Sequence, residues 1–153
     1  MGSTVFPAPA AGKTRYALTL TSGTSWTVPA GVTYVNVTLQ GGGGGCGAQV
    51  ATRGMPGQLV TSNVATTPGA AITYAIGGGG GKSTGGKGGS GGTTTFTGAT
   101  SAGGGGGGPD STTGSNGTAA AGWDNSGMGP YNTAGNGDGS SGRVKLSCWC
   151  WRC

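Results

Sequence analysis

The stretch TYVNVTLQGGGGG, from Thr33 to Gly45, joins the two kinds of backbone from which this chain is built. Its first part alternates apolar and polar side chains, so that Val35, Val37 and Leu39 share one face, as in a half-buried β-strand. Its last part is glycine alone. A glycine run has a natural geometry in the polyproline II helix, with about three residues per turn and no internal hydrogen bonds. The stretch therefore predicts a strand that leads directly into a glycine helix.

A strand followed by a glycine run occurs again at residues 72–81 and 93–108. Because a glycine helix makes no hydrogen bonds of its own, its buried N–H and C=O groups must bond to neighbouring segments. Glycine leaves room for neighbours on every side, at a cost of roughly 0.5–1 kcal/mol per residue relative to alanine. We therefore predict an all-β fold, a small β-sandwich whose strands lead into packed polyglycine II helices, with essentially no α-helix.

The chain divides into two unequal parts. Residues 1–14, with Pro7 and Pro9, predict an extended N-terminal arm that can serve as an attachment segment. Residues 15–153 are predicted to form the glycine-rich β-sandwich and polyglycine module. Within this module, alternation and β-branched runs predict strands at residues 15–21, 25–28, 33–39, 58–64, 71–76, 93–97 and 143–150.

The composition leaves little for catalysis. The chain of 153 residues has 40 glycines, only three acidic residues and no histidine. There is no glutamate, and Asp110, Asp124 and Asp138 each lie among Gly, Ser, Asn and Thr, where turns form. We therefore expect no enzyme and no cofactor. A calcium site is also disfavoured, because one carboxylate per loop is a poor ligand set.

Other ligand classes are disfavoured by the sequence pattern. The run Gly77–Gly81 with Lys82 and Ser83 looks like a phosphate-binding loop, but Ile76 stands where that motif needs glycine. The glycine-rich residues 84–89 also cannot start the helix that would bind phosphate. The cationic residues are scattered rather than clustered with aromatic ones, so no nucleic-acid binding is expected. No apolar run approaches about 18 residues, so no membrane insertion is expected.

Three segments of the chain together resemble a known family. They are WTVPAGV at Trp26–Val32, VNVTL at Val35–Leu39 with the run Gly41–Gly45 behind it, and SGRVKL at Ser141–Leu146. In this order they resemble the glycine-rich domain of bacteriophage tail proteins, including tail-fibre adhesins with polyglycine sandwiches. The resemblance covers roughly residues 17–147. It implies a virion structural protein of the tail, fibre or tip, in which loops between glycine helices can bind a host receptor.

The resemblance also implies partners and a location. It implies contacts with other virion proteins, a host surface receptor, and a homo-oligomer that is a trimer by analogy. Residues 1–14 lack the apolar core of a signal peptide. We therefore expect synthesis in the host cytoplasm and a final location in the virion.

Aromatic residues mark two candidate contact regions. A rigid scaffold that carries an aromatic and polar loop favours recognition; the candidate receptor-binding residues are Trp123, Asp124, Asn125, Met128, Tyr131 and Arg53. The alternative is a loop that folds back over the sandwich. Trp149 and Trp151, opposite the apolar face of the last strand, and Phe6 in the arm are the candidate interface residues. The alternative there is a strand buried on both faces within one chain.

The four cysteines allow three interpretations. Cys148, Cys150 and Cys153 lie close together, and Cys46 interrupts a glycine segment. Packing as small buried side chains is favoured for a protein made in a reducing compartment. A disulfide, within or between subunits, stays open. A metal site at the three C-terminal cysteines also stays open, because Cys150 and Cys153 have a spacing found in zinc sites.

Two rival functions come from other classes of protein. An antifreeze-type protein could present a flat polyglycine bundle as its binding surface, with cysteines that staple the fold. A silk-like protein of the extracellular matrix is disfavoured by the absence of an export signal. The leading hypothesis is a non-enzymatic virion protein.

Overall fold

The computed structural model describes residues 14–47, 54–108, 139 and 141–150, and of residues 14, 15, 149 and 150 it describes the backbone alone. These residues form two antiparallel sheets, and the predicted all-β class is confirmed. None of the described residues belongs to a helix that could cross a bilayer. The strands are β1 (Thr14–Leu20), β2 (Ser25–Thr27), β3 (Tyr34–Gln40), β4 (Leu59–Ala65), β5 (Ala71–Ala75), β6 (Thr95–Phe96) and β7 (Arg143–Cys150).

The two sheets pack as a small sandwich. The larger sheet has the strand order β1-β7-β3-β4, and the smaller sheet has the order β2-β5-β6. Their apolar faces enclose one hydrophobic core, as in other two-layer β proteins. The buried members of this core are Trp26, Val28, Val32, Val35, Val37, Leu39, Val64, Tyr74, Phe96, Ala102, Val144, Leu146 and Cys148.

Strand β3 lies between β7 and β4 in the larger sheet, and its side chains alternate as the sequence predicts. Val35, Val37 and Leu39 are buried, whereas Tyr34 on the opposite face is 68% exposed. A period of two therefore places one face of this strand in the core.

Some strands begin or end at other residues than predicted, because backbone groups near the glycine bundle form hydrogen bonds with the bundle. The sequence predicts a strand from residue 58, but the N–H of Gln58 donates to the carbonyl oxygen of Gly103 at 2.8 Å, and β4 begins at Leu59. Strand β3 extends one residue beyond the prediction, to Gln40, which pairs with Arg143 of β7. The boundary between strand and glycine segment is thus set by the neighbouring backbone.

The third predicted unit, residues 93–108, is built differently from the other two. After β6 the chain reverses through Gly98, whose φ of +87° lies in the left-handed region that favours glycine. Ala102 then returns to form an antiparallel bridge with Thr94. The predicted strand over 93–97 is therefore separated from the glycine run by this turn, and the run 103–108 leaves the smaller sheet from Ala102.

Three aromatic residues fasten the smaller sheet to the core. The rings of Trp26 and Phe96 have centroids 6.2 Å apart and are tilted by 43°. The hydroxyl of the buried Tyr74 donates a hydrogen bond to the carbonyl oxygen of Ser22 at 2.8 Å. This bond satisfies the polar end of the ring and ties the link between β1 and β2 to β5.

The chain enters and leaves the sandwich at the side far from the glycine bundle. Thr14, the first residue of β1, pairs with Cys150 at the end of β7. At the other end of the same two strands, Leu20 pairs with Val144, close to the first glycines of the bundle. The predicted arm, residues 1–14, lies outside the described residues except for Thr14.

Candidate functional site: the glycine bundle and its tip

In the described part of the chain, six extended segments, which we call rods, pack together at one end of the sandwich. Rods 1, 3 and 5 leave the sandwich, and rods 2, 4 and 6 return to it, so chain direction alternates along the sequence. They are rod 1 (41–47), rod 2 (54–58), rod 3 (77–83), rod 4 (88–92), rod 5 (103–108) and rod 6 (139–142, with residue 140 outside the described part).

Rod 1 lies at the centre of the bundle, and its hydrogen bonds recur every three residues. The N–H groups of Gly42 and Gly45 donate to the carbonyl oxygens of Gly92 and Gly89 in rod 4, both at 2.9 Å. Carbonyl groups of rod 2 accept hydrogen bonds from N–H groups of rod 1 with the same spacing. N–H groups of rods 3 and 5 donate hydrogen bonds to the carbonyl groups of rod 1. A repeat of about three residues is that of a polyglycine II helix, which confirms the predicted packing of such helices.

The outer rods also bond to one another. Backbone hydrogen bonds of 2.7–2.9 Å join rod 2 to rod 5, rod 5 to rod 4, rod 4 to rod 3, and rod 3 to rod 6. Gly139 of rod 6 also lies against the backbone of Gly43 in rod 1. Hydrogen bonds between peptide groups therefore join the outer rods in series around rod 1, from rod 2 to rod 6, where an ordinary core would rely on apolar side chains.

The rods lie too close together for side chains between them. A Cβ added at Gly42, Gly45 or Gly80 would come within 3.0 Å of a carbonyl oxygen in a neighbouring rod, a separation that real Cβ atoms essentially never show. At Gly78 and Gly81, also in rod 3, a Cβ would meet nothing within 4 Å. Glycine is thus required where a rod faces its neighbours, and the outer side of a rod has room for a side chain.

The returning rods contain other residue types, and their sequence signal is a pair of glycines three positions apart. These pairs are Gly54 and Gly57 in rod 2, Gly88 and Gly91 in rod 4, and Gly139 and Gly142 in rod 6. A Cβ at each would come within 3.0 Å of a carbonyl oxygen of residues 40–45, and the nearest oxygen belongs to a different one of these residues for each of the six glycines. Because other residues separate the glycines of each pair, no uninterrupted run marks the three returning rods, and they were not predicted from the sequence.

Polar side chains satisfy the backbone at the level where strands become rods. The hydroxyl of Thr94 accepts a hydrogen bond from the N–H of Gly77 at 3.0 Å. The side-chain oxygen of Gln58 accepts one from the N–H of Gly103 at 3.1 Å. In this way the first N–H groups of rods 3 and 5 are paired before the rods meet one another. No buried side-chain nitrogen or oxygen in the described part of the chain lacks a partner.

The far end of the bundle, which we call the tip, carries the connections between successive rods. They are residues 48–53 between rods 1 and 2, 84–87 between rods 3 and 4, and 109–138 between rods 5 and 6. The connection 84–87 is a bend that begins with a hydrogen bond from the N–H of Gly85 to the hydroxyl of Ser83 at 3.4 Å. Its Thr84 and Lys87 are exposed.

A family model described as a glycine-rich domain matches residues 19–146, which include the rods and most of both sheets. The chain belongs to this glycine-rich domain family. No curated protein matches the chain. The matched region contains both the uninterrupted glycine runs and the three pairs of glycines in the returning rods.

The predicted receptor-binding residues of the glycine-rich domain fall in connections that join rods at the tip. Arg53 belongs to the connection 48–53. The other five belong to the connection 109–138; they are Trp123, Asp124, Asn125, Met128 and Tyr131. Both connections lie outside the described residues, so the prediction for these side chains stays a prediction.

Of the predicted interface residues of the glycine-rich domain, the structure describes only the backbone of Trp149. The backbone of Trp149 lies in β7 opposite Arg15 of β1. The side chain of Trp149, and the whole of Trp151 and Phe6, lie outside the described part of the chain. The contacts predicted for these three residues stay a prediction.

Two cysteines of the glycine-rich domain are buried and free. Cys148 packs in the core beside the other apolar residues of β7, and burial raises the pKa of its thiol. Cys46 is buried near the outer end of rod 1. The side chains of Cys150 and Cys153 lie outside the described residues, among which no three metal-ligating side chains come together. The metal and disulfide interpretations of the C-terminal cysteines stay open.

The segment that looks like a phosphate-binding loop is part of rod 3. The N–H of Ser83 donates to the carbonyl oxygen of Cys46 at 2.9 Å, which ties the end of rod 3 to rod 1. The chain then bends and returns as rod 4. Lys82 and Ser83 therefore precede another glycine rod, where a phosphate-binding loop would lead into a helix.

Proposed function

We propose that this glycine-rich domain is a non-enzymatic structural protein of a bacteriophage particle, located in the tail, fibre or tip. The observation that carries the proposal is that the two ends of the molecule differ. Thr14 and Cys150 pair at one end of the sandwich, whereas the connections between rods lie beyond the other end. A domain of this form is suited to attachment at the end where Thr14 and Cys150 pair, and to presentation of its loops at the tip.

The rigidity of the bundle supports the same role. Rod 1 is bonded to its neighbours through backbone groups that repeat every three residues, with no side chain to change rotamer between them. Sites built on rigid elements hold their geometry better than sites on mobile ones. The bundle can thus give the connections at the tip a rigid support, while the end of the sandwich where Thr14 and Cys150 pair is attached to the particle.

The resemblance noted in the sequence supplies the biological setting of the proposal. In the phage proteins that the chain resembles, loops between glycine helices form a receptor-binding tip. By this analogy, Arg53 and the aromatic and polar residues of the connection 109–138 contact a host surface receptor, and the domain assembles with other virion proteins as a trimer. These functions depend on binding surfaces and on the symmetry of the oligomer, and they need no catalysis.

Analysis of purified phage particles tests this proposal. The expected result is that peptides of this chain are recovered by mass spectrometry from particles purified by density gradient, and that a particle reconstruction contains the glycine bundle in its tail. Whole-lysate protein from the same infection is the control for contamination. Depletion of the chain from particles, relative to that lysate, would contradict the proposal.

One observation favours the antifreeze-type alternative. Gly78, Gly79, Gly81 and Gly89 form an exposed surface without side chains on rods 3 and 4. An exposed surface of repeating backbone groups is what an antifreeze-type protein would need. Thermal hysteresis of the purified chain, measured against heat-denatured chain at the same concentration, would support this alternative over the virion role.

A further inference from the structure

The charged residues are distributed unevenly along the sequence. The chain has a formal charge of +5, from eight cationic and three acidic residues. All the acidic residues, Asp110, Asp124 and Asp138, belong to the connection 109–138. Three cationic residues, Arg53, Lys82 and Lys87, belong to the rods and their connections, where they balance these carboxylates in number.

The remaining cationic residues belong to β1 and β7 or lie next to these strands in sequence. They are Lys13, Arg15, Arg143, Lys145 and Arg152. Strands β1 and β7 pair along seven positions, with Arg15 opposite Trp149 and Lys145 opposite Thr19. The side chain of Lys145 is exposed. The whole net charge is therefore that of this one pair of strands and its flanking residues.

Among the described residues, β1 is also an edge strand of the larger sheet. It pairs with β7 alone within the described part of the chain. The opposite edge, β4, pairs with β3 alone within the same residues, and the turn after β6 contacts its side chains: the N–H of Thr100 donates to the hydroxyl of Ser62 at 3.2 Å, and Gly98 lies against Val64. An uncovered edge presents backbone donors and acceptors that another chain can pair with.

The core-facing side of β1 is only partly covered. Tyr16, Leu18 and Leu20 pack against the hydrophobic core but are half-buried, while Ala17 and Thr19 between them are exposed. Strand β1 is the outermost of four strands, and the smaller sheet opposite has three. A further strand beside β1 would cover these apolar side chains and extend the core.

We propose that the edge of β1 binds an extended, acidic segment of a partner protein as an added strand. Side chains alternate between the two faces of a strand. The segment would thus carry acidic residues at every second position, toward the face on which Ala17, Thr19 and Lys145 are exposed. Its apolar residues would lie between them, toward Tyr16, Leu18 and Leu20. Backbone pairing would supply affinity, and the charges would select the partner.

This inference rests on the proposed function for the nature of the partner, a neighbouring protein of the particle, but its test is independent. If the peptide does not bind but the chain is found in virions, this inference fails and the proposed function stands. If the chain is absent from virions but the peptide binds, the proposed function fails and this inference stands. Cationic residues on an edge strand can also serve only to keep copies of a protein apart. The experiment is therefore designed to separate attraction of an acidic strand from repulsion between copies.

The probe is the capped peptide Asp-Val-Asp-Leu-Asp-Val-Asp, titrated into the full-length chain at low salt and followed by backbone amide NMR. We expect saturable shifts at the amides of β1, weakened by added salt because screening reduces charge attraction. The matched peptide with lysine in place of aspartate tests the charge requirement on the unmodified protein. Heparin and single-stranded DNA test whether any polyanion binds.

Two double variants carry the same change of charge, one in strands β1 and β7 and the other in the rods and their connections. R15E with K145E should weaken binding of the acidic peptide by about tenfold or more, because like charges would then face each other. K82E with K87E, at the tip end, should change the affinity for the acidic peptide less than about twofold. If the first variant fails to fold, R15Q with K145Q tests the same charges without reversal.

Several results would overturn the inference. They are the absence of shifts in β1, equal binding of the lysine peptide, equal loss of binding in both double variants, and equal perturbation of the β1 amides by heparin or DNA. Self-association of the R15E and K145E variant with undiminished peptide binding would show that these charges only keep copies apart.

Discussion

The buried hydroxyl of Thr94 accepts a hydrogen bond from the backbone N–H of Gly77 at 3.0 Å. The two residues meet where β5 has ended and rod 3 begins, at a level where neither the sheet nor the bundle offers that N–H a backbone partner. Thr94 is fully buried, so water cannot replace the bond. A single side chain thus joins two backbone geometries that do not match.

Replacement of Thr94 by valine should destabilise the protein by about 1–3 kcal/mol, because it leaves a buried N–H without an acceptor while the shape of the side chain is kept. Chemical denaturation followed by tryptophan fluorescence measures the change. The control T94S keeps the hydroxyl and should retain more of the stability than T94V. Equal stability of T94V and the unmodified protein would contradict the role assigned to this bond.

Alanine at two adjacent glycines of rod 3 should have opposite effects. At Gly80 a Cβ would meet the backbone of Gly89, whereas at Gly81 it would meet nothing within 4 Å. We expect G80A to cost about 1–3 kcal/mol or more through overpacking against a backbone that cannot move aside. We expect G81A to be neutral or to stabilise by up to about 1 kcal/mol, because it restricts the unfolded chain.

Thermal unfolding of the two glycine variants under the same conditions provides the comparison. Each variant acts as the control for the other, because composition and position along the rod are nearly the same. Similar losses of stability in G80A and G81A would mean that glycine is needed for the conformation of the rod, and would contradict close packing as the reason for it.

Truncation within β3 should separate the two faces of the larger sheet. Leu39 is fully buried, and L39A should lower the free energy of unfolding by about 2–5 kcal/mol through loss of apolar contacts and the cavity left behind. Tyr34 in the same strand is 68% exposed, and Y34A should change it by no more than about 0.5 kcal/mol. A large effect of Y34A in denaturation experiments would place that face in a packed environment.

The stability of the protein should fall at alkaline pH in part through Cys148. Burial raises the pKa of this thiol, so the folded protein keeps the proton at pH values where the unfolded chain releases it. The folded state then binds more protons, and the free energy of unfolding decreases as the pH rises above about 8.5, the value of an ordinary cysteine.

The stability advantage of the unmodified protein over C148A should therefore shrink as the pH is raised from about 8 to about 10. Denaturation at each pH measures this difference. The control V144A removes apolar contacts from the same face of β7 without a titrating group, and its difference from the unmodified protein should stay constant. A constant difference for C148A would contradict the assignment.

The sandwich could be predicted from the sequence because its strands follow a simple period of two. Alternation placed Val35, Val37 and Leu39 in the core and Tyr34 outside it, and the glycine run behind them indicated a rod. These signals are local, and each can be recognised within a few residues. The ends of the strands depended on a distant partner, such as Gly103 for Gln58, and so could not be predicted.

Half of the rod bundle escaped prediction for a similar reason. The returning rods need glycine only at positions that face rod 1, so Met55, Pro56 and Ser90 are accommodated between the required glycines. Their spacing of three residues has meaning only once a central rod is known to exist. The candidate receptor residues were found by composition, and only the alternating direction of the rods shows that their connections join the bundle at one end.

Rods 5 and 6 share no hydrogen bond in the described part of the chain, and each lies against rod 1, which separates them. The other connections join rods that are direct neighbours. A closed loop becomes only about 0.6 kcal/mol less favourable each time its length doubles. The segment 109–138 can therefore vary in length and composition, and can be exchanged as a unit, while the hydrogen-bonded rods that it connects stay the same. Natural variation and deliberate grafting of new specificities should both concentrate there.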